Sequence, residues 1–279
     1  MKKQLLFAAA MSALCALPGF GQARAASEPV KLLESRVGLM APVWSPDGSM
    51  LAVTTDNYAG ILVANADGSG LRAVSSDAGT GYKMCWSADS RSITGRATVA
   101  TGRHQMRRYD VAGGRATAIS AVARTSAEPV SATAAGLYAL MTSDPAGAAA
   151  TAPALARFAG RTVINPALSP DGTAIAFQIP GQGMWIIGAD GSDLRALGMG
   201  SHPAWLPDSR TIVYTIVRDN GENFTGSTLM SMDTATGATA TLLASRSLVP
   251  LTPSVNADGT KVAFENAAEA AIYVMNIQN

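Results

Sequence analysis

Histidine occurs only twice in the 279 residues, at His104 and His202, so a multi-histidine metal centre is not available to this chain. Cysteine is as scarce, with Cys15 near the start and Cys85 between Met84 and Trp86. If the first segment is removed on export, Cys85 is left alone and no intrachain disulfide can form. Its apolar neighbours mark it as a small buried hydrophobe rather than a reactive thiol. Charge is thin as well: 15% of residues are charged and the formal net charge is +1. That balance excludes the overall electrostatic footprint that draws proteins to nucleic acid or to an anionic membrane. Long apolar runs are missing too. The longest runs from Leu5 to Leu17, short of the roughly 20 residues a membrane-crossing helix needs.

That run has another reading. Lys2 and Lys3 precede it and Ala23-Arg24-Ala25 follows it, the charge, core and small-residue order of a secretory leader. Residues 1–25 are therefore expected to be a cleaved signal peptide, with cleavage after Ala25, and the chain is expected to be periplasmic or secreted. Leu14 before Cys15 argues against a lipid anchor. The domain proper is expected over residues 26–279.

What is present is a repeat. Pro42-Val43-Trp44-Ser45-Pro46-Asp47-Gly48 returns as Met84-Cys85-Trp86-Ser87-Ala88-Asp89-Ser90 and as Pro166-Ala167-Leu168-Ser169-Pro170-Asp171-Gly172. It returns again around Trp205 to Ser209 and around Val255 to Gly259. Each copy leads into a short apolar strand, because Pro sets one turn dihedral, Asp bonds its own backbone and Gly accepts a positive φ. A second hairpin follows in most copies, as at Asp67-Gly68-Ser69 and Asp190-Gly191-Ser192. Four short antiparallel strands per repeat result.

The turn aspartates are spaced by 42 residues from Asp47 to Asp89, by 37 from Asp171 to Asp208 and by 50 from Asp208 to Asp258. Asp89 to Asp171 spans 82, close to twice the period, so a worn copy is expected over Pro129 to Ala139, with Leu137 to Met141 as its next strand. A four-stranded period of this length is the signature of a β-propeller, whose blades stack radially because none can bury both faces alone. The expectation is an all-β, six-bladed propeller of four-stranded antiparallel blades. Its last repeat lacks an outer strand, and Val30 to Glu34 is expected to supply it, closing the ring with an N-terminal strand and covering an open edge.

Trp-Ser-Pro-Asp-Gly, followed by an apolar strand and an Asp-Gly turn, resembles the WD-like repeat of the TolB-like propellers. In that family an α/β domain precedes the propeller; here only Ala26 to Val30 precede the first repeat, so the chain reads as a free-standing TolB-like propeller. The resemblance implies a protein-binding scaffold with a protein partner in the cell envelope. A monomer is expected, with no catalytic centre, no required cofactor and no transmembrane segment in the mature chain. The alternative is a propeller enzyme or carbohydrate-binding protein acting on a glycan in the central channel, for which the innermost strands offer mostly small residues such as Ala167, Ala204 and Ser254. Calcium in the channel is compatible with the sequence, which does not place it.

The repeated aspartates and Ser45, Ser87 and Ser169 are explained by turn hydrogen bonding, and the Gly-x-Ser-x-Gly elbow is absent. Trp44, Trp86 and Trp205 share one position in the repeat, which assigns them to packing between blades. His202, before Pro203, reads as a rim residue. The loops between the second and third strands emerge on the face where each blade is entered, and long loops on a rigid ring are where recognition is placed. Two stand out. One carries Arg103 and His104; the other carries Arg218, Asn220, Asn223 and Phe224. These six are the candidate binding residues, and no catalytic or metal-ligating residue is assigned.

Overall fold

The computed structural model describes residues 23–124, 129, 136–221 and 224–278. The leader expected over residues 1–25 thus lies outside the described residues except for Ala23, Arg24 and Ala25. Two short N-terminal strands, β1 (Arg24–Ala25) and β2 (Val30–Leu33), come first. Five blades then follow in chain order. Blade I is β3 (Met40–Trp44), β4 (Met50–Thr54), β5 (Ile61–Asn65) and β6 (Arg72–Ser75), and blade II is β7 (Cys85–Trp86), β8 (Ser92–Ala100), β9 (Arg103–Asp110) and β10 (Ala116–Ala118). Blade III is β11 (Ile164–Leu168), β12 (Ala174–Ile179), β13 (Gly183–Gly188) and β14 (Arg195–Gly198). Blade IV is β15 (Ser201–Trp205), β16 (Thr211–Asp219), β17 (Phe224–Asp233) and β18 (Thr239–Ala244), and blade V holds β19 (Pro250–Val255), β20 (Lys261–Asn266) and β21 (Ala271–Gln278). Each of the first four is an antiparallel sheet in sequence order from the channel outward.

The expected sixth blade is a misreading of the sequence. Leu137 to Met141 lies inside helix α1 (Gly136–Ser143), followed by α2 (Pro145–Thr151) and a 3₁₀ turn at Pro153–Phe158. The segment is rich in alanine, has no Pro-Asp-Gly turn and shows no two-residue alternation, so helix propensity prevails. Asp144 caps α2, its Oδ1 accepting the Gly147 N–H at 3.1 Å, with Pro145 at the first helical position. Leu137 and Met141, one turn apart, bury themselves with Phe158 against Ile175, Phe177 and Trp185 of blade III. The ring therefore has five blades, with helices in the sixth place.

Blade V is completed from the other end of the chain. Val30 pairs with Val274 and Lys31 with Tyr273, while Arg24 and Ala25 pair with Gln278 and Ile277. Leu33 then joins Ile272 and Val274 against Trp44 and Leu51 of blade I. Similar clusters join blades I and II, III and IV, and IV and V.

The repeat phrase does two jobs. Locally, Ser45 Oγ donates to Asp47 Oδ1 at 2.6 Å, Ser87 to Asp89 at 2.6 Å and Ser169 to Asp171 at 2.6 Å. These bonds, more than any other interaction, hold each carboxyl below its ordinary range, Asp47 at about 2. Between blades, the Trp86 indole N–H donates to the Val43 carbonyl at 3.0 Å and that of Trp205 to the Ala167 carbonyl at 2.9 Å. Where the third turn position is Ser instead of Gly, its hydroxyl bonds the previous blade: Ser90 accepts the Asp47 N–H at 3.1 Å and Ser209 the Asp171 N–H at 2.9 Å. Both serines carry a positive φ, 60° and 54°, so the bonds help hold a conformation that costs an L-residue about 1–2 kcal/mol.

Candidate functional site

Four of the five innermost strands begin with a bulge. Register shifts fall between Met40 and Val43, Ile164 and Ala167, Ser201 and Ala204, and Leu251 and Ser254. Within or at the matching place stand five left-handed residues that are not glycine: Ala41 (φ 49°), Lys83 (φ 50°), Asn165 (φ 52°), His202 (φ 54°) and Thr252 (φ 45°). Four of them precede a proline, which makes the helical wells still less favourable. All five line the central channel, a cavity of about 610 Å³ that α1 also reaches through Tyr138 and Thr142. Strain repeated once per blade around one opening directs attention to that opening.

The polar groups here are few and partly unmet. His202 Nδ1 is buried without a hydrogen-bond partner. Burial, and then the charge of Lys83, push its pKa down to about 4, so the ring is neutral at neutral pH. Glu265 is buried between blades V and I, accepting the Ala41 N–H at 3.2 Å and the Thr252 hydroxyl at 3.3 Å, and burial pushes its carboxyl up. Asn165 Nδ2 donates to Gln178 Oε1 at 3.0 Å. Lys83 and Arg96 lie over the Tyr82 ring at 5.6 Å and 5.2 Å. Ala167, Ala204 and Ser254 line the channel deeper in, and Cys85, its thiol pushed up to about 12 by burial, is inert there. Among the described residues, no group of histidine, cysteine, aspartate and glutamate is arranged to hold a metal ion.

Around the channel mouth lies the entrance face, and the candidate binding residues sit on its two tallest hairpins. Thr215 pairs with Ser201 at the rim of blade IV, and β16 continues four residues further, to Asp219. At roughly 3.3 Å per residue the hairpin overhangs the rim by about 13 Å. The β8–β9 hairpin of blade II overhangs similarly, ending at Ala100 and Arg103. Arg218, Asn220 and Phe224 share the first hairpin; Arg103 and His104 share the second. The two are not neighbours, since the helices and blade III stand between them. Arg218 lays its guanidinium across Gly226, where an added Cβ would meet Nη2 at 2.9 Å. His104 is half-buried, its Nδ1 3.3 Å from Thr98 Oγ1. Asn223 lies outside the described residues.

Apolar exposure follows the same face. Eight large apolar side chains stand exposed among the described residues, and six of them belong here: Val37, Val99, Val122, Met199, Ile216 and Phe224. Met199 is 68% exposed on the approach to blade IV and Phe224 56% exposed on its hairpin. Sequence reasoning found Phe224 but not Met199 or the left-handed ring. The x-Pro pair that opens the repeat phrase in four of the five blades was a partial signal for the ring.

Fold and site together define the class: a five-bladed β-propeller with a helical sixth sector and an apolar rim around its channel mouth. No family model matches the chain, and no curated protein matches it in sequence. Among solved structures it is similar to TolB from Acinetobacter baumannii, at 13% identity and a TM-score of 0.41 over 88% of this chain, spanning 56% of that one. It is also similar to a putative TolB from Agrobacterium tumefaciens, at 13% identity and a TM-score of 0.39 over 87% of this chain and 77% of that one. The tricorn protease matches at 14% identity and a TM-score of 0.52, over 86% of this chain and 26% of that one. Likenesses at such identities concern fold alone. Among the described residues, no helix is long and apolar enough to cross a membrane.

Proposed function

We propose that this chain is an exported scaffold, periplasmic or secreted, that docks a protein partner of the cell envelope on its entrance face. The observation that carries this reading is the gathering of exposed Met199, Ile216 and Phe224 on blade IV, beside polar Arg218 and Asn220. Apolar side chains rimmed by polar ones on a rigid surface are what a binding face requires. The overhanging hairpins of blades II and IV flank a concavity into which a partner segment can reach.

The test is a pull-down from native envelope extract with wild type, Met199→Ser/Phe224→Ser and a control at the far edge, Val30→Ser. A partner lost with the double variant but kept by the control, at unchanged melting temperature, supports the reading. Nothing recovered reproducibly, or equal loss in all three, removes it.

A second reading, a glycan held in the channel, is favoured by the strained ring that aims Asn165, His202 and Lys83 at one opening. Calorimetric titration with a glycan panel, with and without calcium, and assay for turnover test it.

A further inference from the structure

Blade II differs from its siblings on one side. Tyr109 and Arg107 turn toward blade I, where both reach Asp77 Oδ2, at 2.6 Å and 2.7 Å. Arg108, between them, must therefore turn the other way. It is paired with Thr94 on one side and Thr117 on the other, and Ser92 with Asp110 lies next in the same face. The corresponding faces of other blades, those turned toward the following blade, are apolar, as Ala176 and Ile186 of blade III against blade IV, or Ile272 and Val274 of blade V against blade I. Blade II presents arginine, serine and threonine instead, and no hydrophobic cluster of the described residues joins that face to the helices.

The face is concave and basic. A pocket of about 280 Å³ is lined by Arg91, Ser92, Arg108, Asp110, Arg115 and Thr117, without a large apolar side chain. The nearby carboxylates are engaged in their own turns: Asp110 Oδ1 accepts the Gly113 N–H at 2.7 Å, and Asp89 Oδ1 accepts the Ser87 hydroxyl at 2.6 Å and the Arg91 N–H at 3.1 Å. None of the three arginines is in an ion pair among the described residues. Residues 83–124 hold eight Lys or Arg against two Asp, in a chain whose net charge is +1. The balance of the whole chain conceals this sector.

We propose that this face is a phosphate-binding site, with the guanidiniums of Arg91, Arg108 and Arg115 and the hydroxyls of Ser92 and Thr117 as donors. Guanidinium forks match the oxygens of a phosphate group in pairs, and hydroxyls complete the shell. The group is borne by a soluble phosphate or by a phospholipid headgroup, and the experiment separates these sources.

The full chain, labelled with ¹⁵N, is titrated with inorganic phosphate while the amides of Arg91, Ser92 and Thr117 are followed. In parallel, flotation is measured with phosphatidylcholine vesicles with and without phosphatidylglycerol. Saturable shifts whose midpoint rises about tenfold or more in Arg108→Gln/Arg115→Gln, at unchanged melting temperature, establish the site. Flotation that needs phosphatidylglycerol and is lost in the same variant assigns the lipid source, with or without a saturable response to the free ion. Absence of flotation beside saturable shifts assigns the soluble source. Should the double variant melt early, single Thr117→Glu at the exposed edge replaces it. Overturning results are saturation or flotation that the variants leave unchanged, or neither response in the wild type.

Discussion

His202 carries two burdens at one position: a left-handed backbone ahead of Pro203, and a ring nitrogen buried without a partner. The second has a pH consequence. Its folded pKa, about 4, lies below the ordinary value of roughly 6.5, so between these values the unfolded chain binds the extra proton and the folded one does not. Stability therefore falls as pH drops from about 6.5 toward 4. His202→Gln is expected to flatten that part of the melting-temperature profile, leaving the neutral end nearly unchanged. Equal acid slopes in the two proteins refute the assignment. The steeper loss below it, from about pH 4 to 2, belongs to the turn aspartates such as Asp47, whose depressed pKa values place their contribution above that window.

Among the elements, the helical insert is where local chemistry decides the fold most sharply. Asp144 and Pro145 start α2 as a cap and a first-turn proline. Asp144→Ala is expected to cost about 1 kcal/mol, read from chemical denaturation; no loss means that the helix is held by its apolar face alone. How far the sequence discloses such elements depends on what each encodes. The turns were legible because Ser-Pro-Asp-Gly names the hydrogen bonds it makes, and the structure supplies those bonds at Ser45 and Ser169. The last strand pairing was legible because blade V lacked an edge that Val30 to Leu33 fills. Leu137 to Met141 misled, since Ala135-Gly136 imitates a worn turn and apolar residues suit either a strand or a helix packed on a sheet. The left-handed ring was hidden for another reason: φ is set at a bulge for Ala41, Asn165, His202 and Thr252 alike, and a following Pro disfavours the right-handed helix without naming the left-handed one. Of the candidate site, the two tall hairpins could be read from their length. The exposure of Met199 and the arginine face of blade II could not, because both depend on which blade has a neighbour.

For the whole molecule, the decisive contact is between its ends. Leu33 is buried in the seam between blades V and I, and Leu33→Ala is expected to destabilise by about 2–4 kcal/mol. Apolar seams run from the helices through blades III, IV, V and I to blade II, so unfolding should stay a single transition when followed by circular dichroism and by tryptophan fluorescence. Separate transitions would mean that the blades melt independently.

The Ser27 hydroxyl accepts the Asn276 N–H at 3.0 Å across 249 residues of chain. Loop-closure entropy and contact order make such a contact slow to form, and no ribosome-bound intermediate can make it before the carboxyl end is synthesised. Blade V is completed only once Asn276 has been synthesised, so the first strands of the chain wait for the last one and the closing seam with blade I comes late in folding.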